Sequence, residues 1–283
     1  MMSWELAMTH PHRFSARRLV VKLGTGVLLG TSRKTEGQLD QEVFNNVAAQ
    51  VVEAQKHCGG CGGVAIVSSG AIQAGQEQAK EFHIDTTHLV REDLAGIGAR
   101  HLLNRWAAAF HTHNREVCQV WVTTANWKNR RERLTIYFRM LQYINHEKTI
   151  PIINENDPVC SQWRGWGVRG NDWLAGMIAR RISADGILFL TNVGGVYYRD
   201  PDTHPDARMY KTINARSIKK LLRLPFSASS TGTGGMRAKL IEAAKCFRAG
   251  MRVSIAGMDD DVIIRFAKGE PVGTTISTST SFY

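Results

Sequence analysis

The sequence predicts an α/β fold: a mostly parallel sheet covered on both faces by helices. Two observations carry this expectation. Short β-branched apolar runs alternate along the chain with longer segments whose apolar residues recur at helical spacing. Each short run also leads into a polar or glycine-rich turn. Such alternation builds βαβ units, because parallel neighbours need a crossover and a helix usually supplies it. Composition agrees: 283 residues with 43% hydrophobic and 22% charged side chains suit a globular chain with a well-buried core.

The strands expected in order are "RLVVKLG", "GVAIVSSG", "EVCQVWVTT", "TIPIINEN", "GILFLTNVGG" and "RVSIAG". Their near-continuous apolar character is that of strands buried on both faces. Between them "LDQEVFNNVAAQVVEAQKH", "REDLAGIGARHLLNRWAAAFHTH", "ERLTIYFRMLQYINHE", "NDWLAGMIARRIS" and "GMRAKLIEAAKCFRAG" read as helices. "PDTHPDARMYKT", with two prolines, is expected to be a surface excursion, and the closing "TTISTSTSFY" a short edge strand that then frays. Residues 1–17 are expected to form a flexible tail, since "MMSWELAMTHPHRFSARR" has no apolar core for a signal peptide, and residues 18–283 a single domain. No apolar run reaches the roughly 18 residues of a membrane span.

A formal net charge of +11 suits a nucleic-acid surface and equally a protein that handles acidic metabolites and nucleotides. The basic motifs of common nucleic-acid modules, with their flanking aromatics, are missing, which favours the second. The densest basic run, "WKNRRERLTIYFR", reads as a solvated helix face with Leu134, Tyr137 and Phe138 on one side. Five cysteines form no disulfide framework, and an odd count leaves one over, so a reducing, cytoplasmic compartment is expected. Cys58 and Cys61 make a C-x-x-C, but no second pair sits at zinc-finger distance and the motif does not open a helix, so neither metal nor redox chemistry is expected of it.

Ligands of such sheets bind outside the carboxyl ends of the strands, which directs attention to the turns. "VKLGTG" places Lys22 at a strand end with Gly24 and Gly26 in the turn, where a lysine can meet a phosphate or simply face solvent. "SSGAIQAG" puts Ser68, Ser69 and Gly70 at a helix start, able to bind a carboxylate or to cap the helix. "NENDPV" masses Asn154, Glu155, Asn156 and Asp157 after a very apolar strand, to meet a ligand ammonium, a metal or the loop's own backbone. Asp172 in "RGNDWLAG" caps a helix or holds two lysines in position. "LTNVGGVYYRDP" ends its strand in Thr191 and Asn192 and turns through Gly194 and Gly195. Tyr197 and Tyr198 follow, as an aromatic wall or as strand-edge packing. Finally, "STGTGGMRAKLIEAAK" brings backbone N–H groups and Lys239 to a helix start, a setting for an anion. The spacing is not G-x-x-x-x-G-K-[ST], so it is no P-loop.

In succession, "VVKLGTGVLLG", "VAIVSSGAIQAG", "PIINENDPV", "GNDWLAGMIA", "ADGILFLTNVGGVYYRDP" and "GTGGMRAKLIEAA" resemble the glutamate 5-kinases of the amino-acid kinase family, over roughly Arg18 to Ile276. "SSGAI", "INEND" and "GTGGM" are the most specific pieces. The resemblance implies a three-layer αβα sandwich, with about residues 18–184 binding the amino acid and about 185–283 the nucleotide. It makes Lys22 and Lys239 the cations flanking a transferred phosphoryl group, with Asp172 orienting them. Ser69, Gly70, Asp157 and Asn171 fall where the family grips L-glutamate. Gly24, Thr25, Thr191, Asn192 and the stretch Thr233, Gly234, Gly235, Met236 and Lys239 fall where it grips ATP. The implied reaction uses ATP and Mg²⁺ and yields γ-glutamyl phosphate, the first intermediate of the route to proline. A carboxylate acceptor of ordinary pKa, about 4.3, is already ionised at pH 7, so no general base and no catalytic histidine are needed, and no protein metal ligand is expected. A dimer or tetramer and feedback inhibition by proline are implied by the resemblance alone.

Three positions depart from the family pattern. Arg169-Gly170 stands where Gly-Asp is usual, Asn192 replaces an aspartate, and Pro158 replaces a small or hydroxyl residue. The chain ends at Tyr283, so the C-terminal PUA domain of many members is expected to be absent. Two rivals are a sibling kinase acting on another carboxylate, such as N-acetylglutamate, and a non-catalytic regulator or nucleic-acid binder. "INEND" with "GTGGM" argues against the first, and retention of Lys22, Lys239 and Asp172 against the second.

Overall fold

In the computed structural model, which describes residues 18–30, 37–59, 63–159, 170–222 and 235–282, a buried strand organises everything else. This is β1 (Arg18–Leu23), flanked in parallel by β2 (Gly63–Ser68) and β5 (Gly186–Thr191). Outside β2 lie β4 (Thr149–Glu155) and, at the edge, β3 (Glu116–Val122); outside β5 lies β7 (Arg252–Gly257), all parallel. The sheet has nine strands in the order β3-β4-β2-β1-β5-β7-β8-β6-β9. From β1 the chain builds outward on one side as far as β3, then crosses back over β1 to start β5. The carboxyl ends of β1, β2 and β5 therefore flank a topological switch point, where such sheets form their ligand crevice.

The far end of the sheet departs from the expectation. β6 (Tyr210–Asn214) was hidden in the end of the proline-containing segment, of which only the exposed turns near 201–206 form a surface excursion. The carboxyl-terminal "TTISTSTSFY" holds two strands, and the first is not at an edge. β8 (Thr274–Ser277) lies between β7 and β6, antiparallel to the one and parallel to the other, while β9 (Ser281–Phe282) forms the edge. A threonine-rich strand can lie inside because its hydroxyls are satisfied: Thr274 Oγ1 donates to Tyr210 O at 2.6 Å and accepts from Val196 N at 2.9 Å.

Alternation along β1 separates two cores. Leu19, Val21 and Leu23 face a layer that includes α1 (Thr25–Leu28), α2 (Gln41–Gln55), α4 (Arg91–His111) and α10 (Val262–Lys268). Val20 faces the opposite layer, which includes α6 (Arg130–Asn145), α7 (Gly170–Arg181) and α9 (Gly235–Arg248). The result is the three-layer αβα sandwich. Each fully buried aliphatic side chain contributes about 1.5–3 kcal/mol of transfer free energy. Trp106 anchors the first core, with Phe44 at 4.5 Å and Phe110 at 6.0 Å between ring centroids, and its Nε1 donates to Ser68 Oγ at 3.1 Å. α6 is rotated from the expected orientation. Met140 and Ile144 are buried with Tyr137 packed beside them, whereas Phe138 is 59% exposed. No helix of the described residues is long and apolar enough to cross a membrane.

α3 (Ala71–Glu81) crosses α4 at two glycines. A Cβ on Gly75 would lie 1.8 Å from Leu94 O, and one on Gly98 would lie 2.0 Å from Ala71 O and 2.2 Å from Gly75 N. Backbone against backbone leaves no side chain to move aside. Gly98→Ala is expected to push α4 from α3 and to lower stability by about 1–3 kcal/mol, the usual penalty of overpacking, as measured by urea unfolding. Wild-type stability would show that the crossing has room.

Candidate active site

Lys22 shares the parity of Val20, so its side chain enters the layer of α7 and α9 rather than the layer of α2 and α4. There Asp172, in the first turn of α7, meets it: Lys22 Nζ lies 2.9 Å from Oδ1. Lys239, in the second turn of α9, approaches the other oxygen, its Nζ 3.4 Å from Oδ2. One carboxylate thus spans two ammonium groups brought from a strand and a helix far apart in the chain. Lys22, Asp172 and Lys239 are 4%, 3% and 8% exposed. Burial of two cations with one anion leaves an uncancelled positive charge at the carboxyl end of β1. The arrangement stands only because each lysine touches the carboxylate, since an unpaired buried charge is prohibitive.

The acid and base strengths follow. Burial pulls Lys22 down to about 8; Asp172 opposes this and Lys239 reinforces it. For Asp172 burial alone would raise the carboxyl, but the two lysines outweigh it and hold the group below the ordinary aspartate range. Asp172 is therefore a fixed anion near neutral pH, while Lys22 discharges in the mildly alkaline range.

On one side of this trio lies a cavity of ≈ 240 Å³, lined by Ala71, Gly96, Trp121, Asn154, Glu155 and Asp157 among others. Ser69 and Gly70 directly precede Ala71, the first residue of α3 and part of the cavity lining. Gly70, the N-cap of α3, has φ +105°, a conformation that L side chains rarely adopt, and this brings the start of α3 close behind β2. Asn171 Nδ2 donates to Ser69 Oγ at 3.2 Å, while Asn171 Oδ1 is buried with no hydrogen-bond partner among the described residues. An acceptor left in that state is suited to a ligand's N–H. Asp157 sits in a 3-10 turn (Asp157–Val159), its carboxyl pushed up to about 6 by burial and by Glu92, against Arg91. Ser68, grouped with these residues in the sequence reading, is tied to the fold, and Asn154 is tied to it as well while lining the cavity. Ser68 Oγ accepts from Trp106 and Asn154 Nδ2 donates to Ser68 O at 2.8 Å. The α4 wall, Ala95, Gly96, Ala99 and Leu102, was missed by sequence reasoning; its only signal is a run of small residues within a helical pattern.

On the other side, Gly24 caps α1, and a Cβ there would lie 3.5 Å from Lys22 Nζ; Thr25 opens that helix. Thr191 closes β5, its Oγ1 donating to Asn192 Oδ1 at 3.3 Å, and Asn192 is exposed. Gly235 opens α9, whereas the Met236 side chain packs against the second core. Thr233, Gly234, Arg169, Cys61 and the tail 1–17 lie outside the described residues. Among those described, no three His, Cys, Asp or Glu side chains gather to hold a metal ion.

Comparison with known proteins shows the family and the fold. The model of the amino acid kinase family matches residues 17–257. The chain is 35% identical to the glutamate 5-kinase of Photorhabdus laumondii over 261 residues, covering 92% of this chain and 68% of that protein. Among solved structures, the UMP kinase of Bacillus anthracis superposes with a TM-score of 0.63 at 18% identity, over 95% of this chain and 99% of that one. A carbamate kinase of Giardia lamblia, solved with AMP-PNP, gives 0.62 at 15% over 93% and 99%.

A titration tests the electrostatics. Lys22 is expected to lose its proton near pH 8, followed by NMR of the methylated amines. In Asp172→Asn the group that raises its pKa is gone while Lys239 remains, so Lys22 should titrate at lower pH. That variant should also lose about 3–5 kcal/mol of stability from two uncompensated buried cations. Because the folded pKa of Lys22 is depressed, its contribution to stability is complete above pH 10.5 and is lost as pH falls toward 8.

Proposed function

The chain belongs to the amino acid kinase family, and from that premise we propose that it transfers the γ-phosphoryl group of ATP to the γ-carboxylate of L-glutamate. The product is γ-glutamyl phosphate, the first intermediate of the route to proline. The observation that carries the reading is the buried Lys22–Asp172–Lys239 trio between a small carboxylate-lined cavity and the nucleotide-side turns.

The acceptor carboxylate is ionised near neutral pH, so the protein has no proton to remove. An oxygen of that carboxylate forms a bond to the γ-phosphorus while the bond from phosphorus to the β,γ-bridging oxygen breaks, and ADP leaves with that electron pair. What the step requires is in-line placement and cancellation of charge. Lys22 and Lys239, spaced by their common anchor Asp172, supply two fixed positive charges for the transferring oxygens. With no cluster of protein ligands in the described residues, Mg²⁺ fits as an ion carried on the nucleotide phosphates; when bound it neutralises phosphate charge.

The cavity suits the amino acid. Asp157 and the partnerless Asn171 Oδ1 accept from the α-ammonium; the Ser69 hydroxyl and the backbone N–H groups at the start of α3 donate to the α-carboxylate. Gly24, Thr25, Thr191, Asn192 and the start of α9 at Gly235 and Met236 fall to the nucleotide. Thr233 and Gly234 join them in this reading, as do the cytoplasmic location, a dimeric or tetrameric state and proline inhibition, all of which rest on sequence and resemblance.

Acyl-phosphate formation, trapped as the hydroxamate with ATP and Mg²⁺, is expected with L-glutamate and not with N-acetylglutamate or aspartate. Signal with another acid alone would overturn the acceptor. Lys22→Ala and Lys239→Ala should each lower kcat by about 10²–10³, as loss of one charge-stabilising donor does. The KM for glutamate should rise as pH falls through about 6, because the raised carboxyl of Asp157 then becomes neutral; Asp157→Asn should abolish that dependence.

A further inference from the structure

α7 and α9 carry a second buried ionic contact that the chemistry above does not use. Glu242 is 3% exposed, and its Oε2 accepts from Arg180 at 3.0 Å while its Oε1 accepts from Lys245 at 2.5 Å. Lys245 belongs to the same helix as Glu242, so Arg180 alone makes the pair a bond between helices. The same guanidinium reaches Cys246 Sγ at 3.5 Å, and that thiol lies 3.7 Å from Gly176 O. A Cβ on Gly176 would stand 2.8 Å from Glu242 Oε2 and 3.1 Å from the Arg180 nitrogen. Glycine at this position is what lets the carboxylate lie against α7.

These contacts form one line with the active trio. Asp172, Gly176 and Arg180 recur every fourth residue along one stripe of α7. Lys239, Glu242 and Cys246 form the facing stripe of α9. The contacts run in the same order along both helices, so the helices are parallel and their N-termini reach the crevice together. Apolar residues such as Leu174, Ile178, Leu240 and Ala243 bury the interface. They fix register weakly, because a slide along the axes exchanges one aliphatic neighbour for another of similar size. After such a slide Glu242 would keep Lys245 on its own helix but lose its one partner on α7, leaving the buried Oε2 uncompensated, and that loss is costly.

We propose that the Glu242–Arg180 pair is a positioning lock that sets the register of α9 on α7 and so holds Lys239 at Asp172. The proposal rests on Lys239 acting in the transfer step; neither Glu242 nor Arg180 touches the reacting groups. Glu242 lies about one turn beyond Lys239 and Arg180 about two turns beyond Asp172, and Gly176 is the space through which the pair closes.

The variants are Glu242→Gln, Arg180→Met and Arg180→Lys in the full chain, with two readouts. The first is the rate at which an amine-reactive ester labels Lys239, followed by peptide mass spectrometry with Lys22 as internal reference. The second is the steady-state kinetics of hydroxamate formation. The lock predicts faster labelling of Lys239 relative to Lys22 in Glu242→Gln and Arg180→Met. It also predicts a fall in kcat of about ten- to a hundredfold with both KM values within about twofold, the pattern of a misplaced transition-state contact. Arg180→Lys should recover part of both. Should Glu242→Gln fail to fold, the Arg180 pair decides by the same measurements. Folded variants with wild-type labelling at Lys239, or with raised labelling and unchanged kcat, overturn the proposal. Labelling does not depend on the acceptor, so a wild type inactive on glutamate would overturn the functional reading and leave labelling to judge the lock.

Discussion

The structure depends on one carboxylate holding two ammonium groups in a place with almost no water. Asp172 draws Lys22 from the central strand and Lys239 from α9, and each of the three is unfavourable without the other two. Moving a carboxylate or an ammonium out of water costs several kcal/mol, repaid only by close contact with opposite charge. Their coexistence requires β1, α7 and α9 to be placed to within fractions of an ångström. The extensive burial of β1, whose residues after Arg18 are almost wholly enclosed, provides that rigidity. Excess positive charge is the remainder, and it suits the close approach of two negatively charged groups that the proposed reaction requires.

The two halves of the crevice are built by different means. On the cavity side, the chain uses close backbone approach: Gly70 in its left-handed conformation and the Gly75–Gly98 crossing bring α3 and α4 together behind β2. Three of the four α4 residues that line the cavity, Ala95, Gly96 and Ala99, are small and leave room for it. On the other side, the parallel helices α7 and α9 present their N-termini together, joined further along by a buried ionic contact. Both devices act at a distance from the reacting atoms, yet they set where Ser69, Asn171 and Lys239 stand.

Much of this was legible in the sequence, for identifiable reasons. Five of the six strands expected from apolar runs, β1, β2, β4, β5 and β7, are buried, and glycine or polar residues mark their ends. The sixth, β3, reads as buried on both faces but is the half-buried edge strand, with Trp121 51% exposed, because it has a neighbour on one side only. Lys22, Asp172 and the serine turn were legible as chemistry because each sits at a strand end or helix start, where ligands bind. β6 and β8 were not, since a five-residue strand beside prolines and a threonine-rich strand carry little hydrophobic signal; their burial depends on partners such as Thr274 with Tyr210. The rotation of α6 was misjudged because Tyr137 and Phe138 are adjacent, and only the buried pair Met140 and Ile144 decides which faces inward. The Glu242–Arg180 contact joins residues 62 positions apart, a pairing that local pattern does not reveal.

The departures from the family pattern take on physical meaning in this frame. Gly170 replaces a usual aspartate and has φ +76°, so the residue lost as a charge is gained as a turn that lets the chain enter α7 directly. Asn192 removes a second carboxylate after β5 while keeping a polar contact with Thr191. Both changes make the crevice less negative, in a chain of net charge +11. Near a site that must assemble a carboxylate and a polyphosphate, each missing negative charge lowers repulsion against both. Pro158 acts on shape instead, packing its ring toward Gly96 so that the turn bearing Asp157 closes against α4. The buried Lys22–Asp172–Lys239 trio thus stands within a surround that is less acidic after β5 and at the α7 start, and stiffer at the turn bearing Asp157.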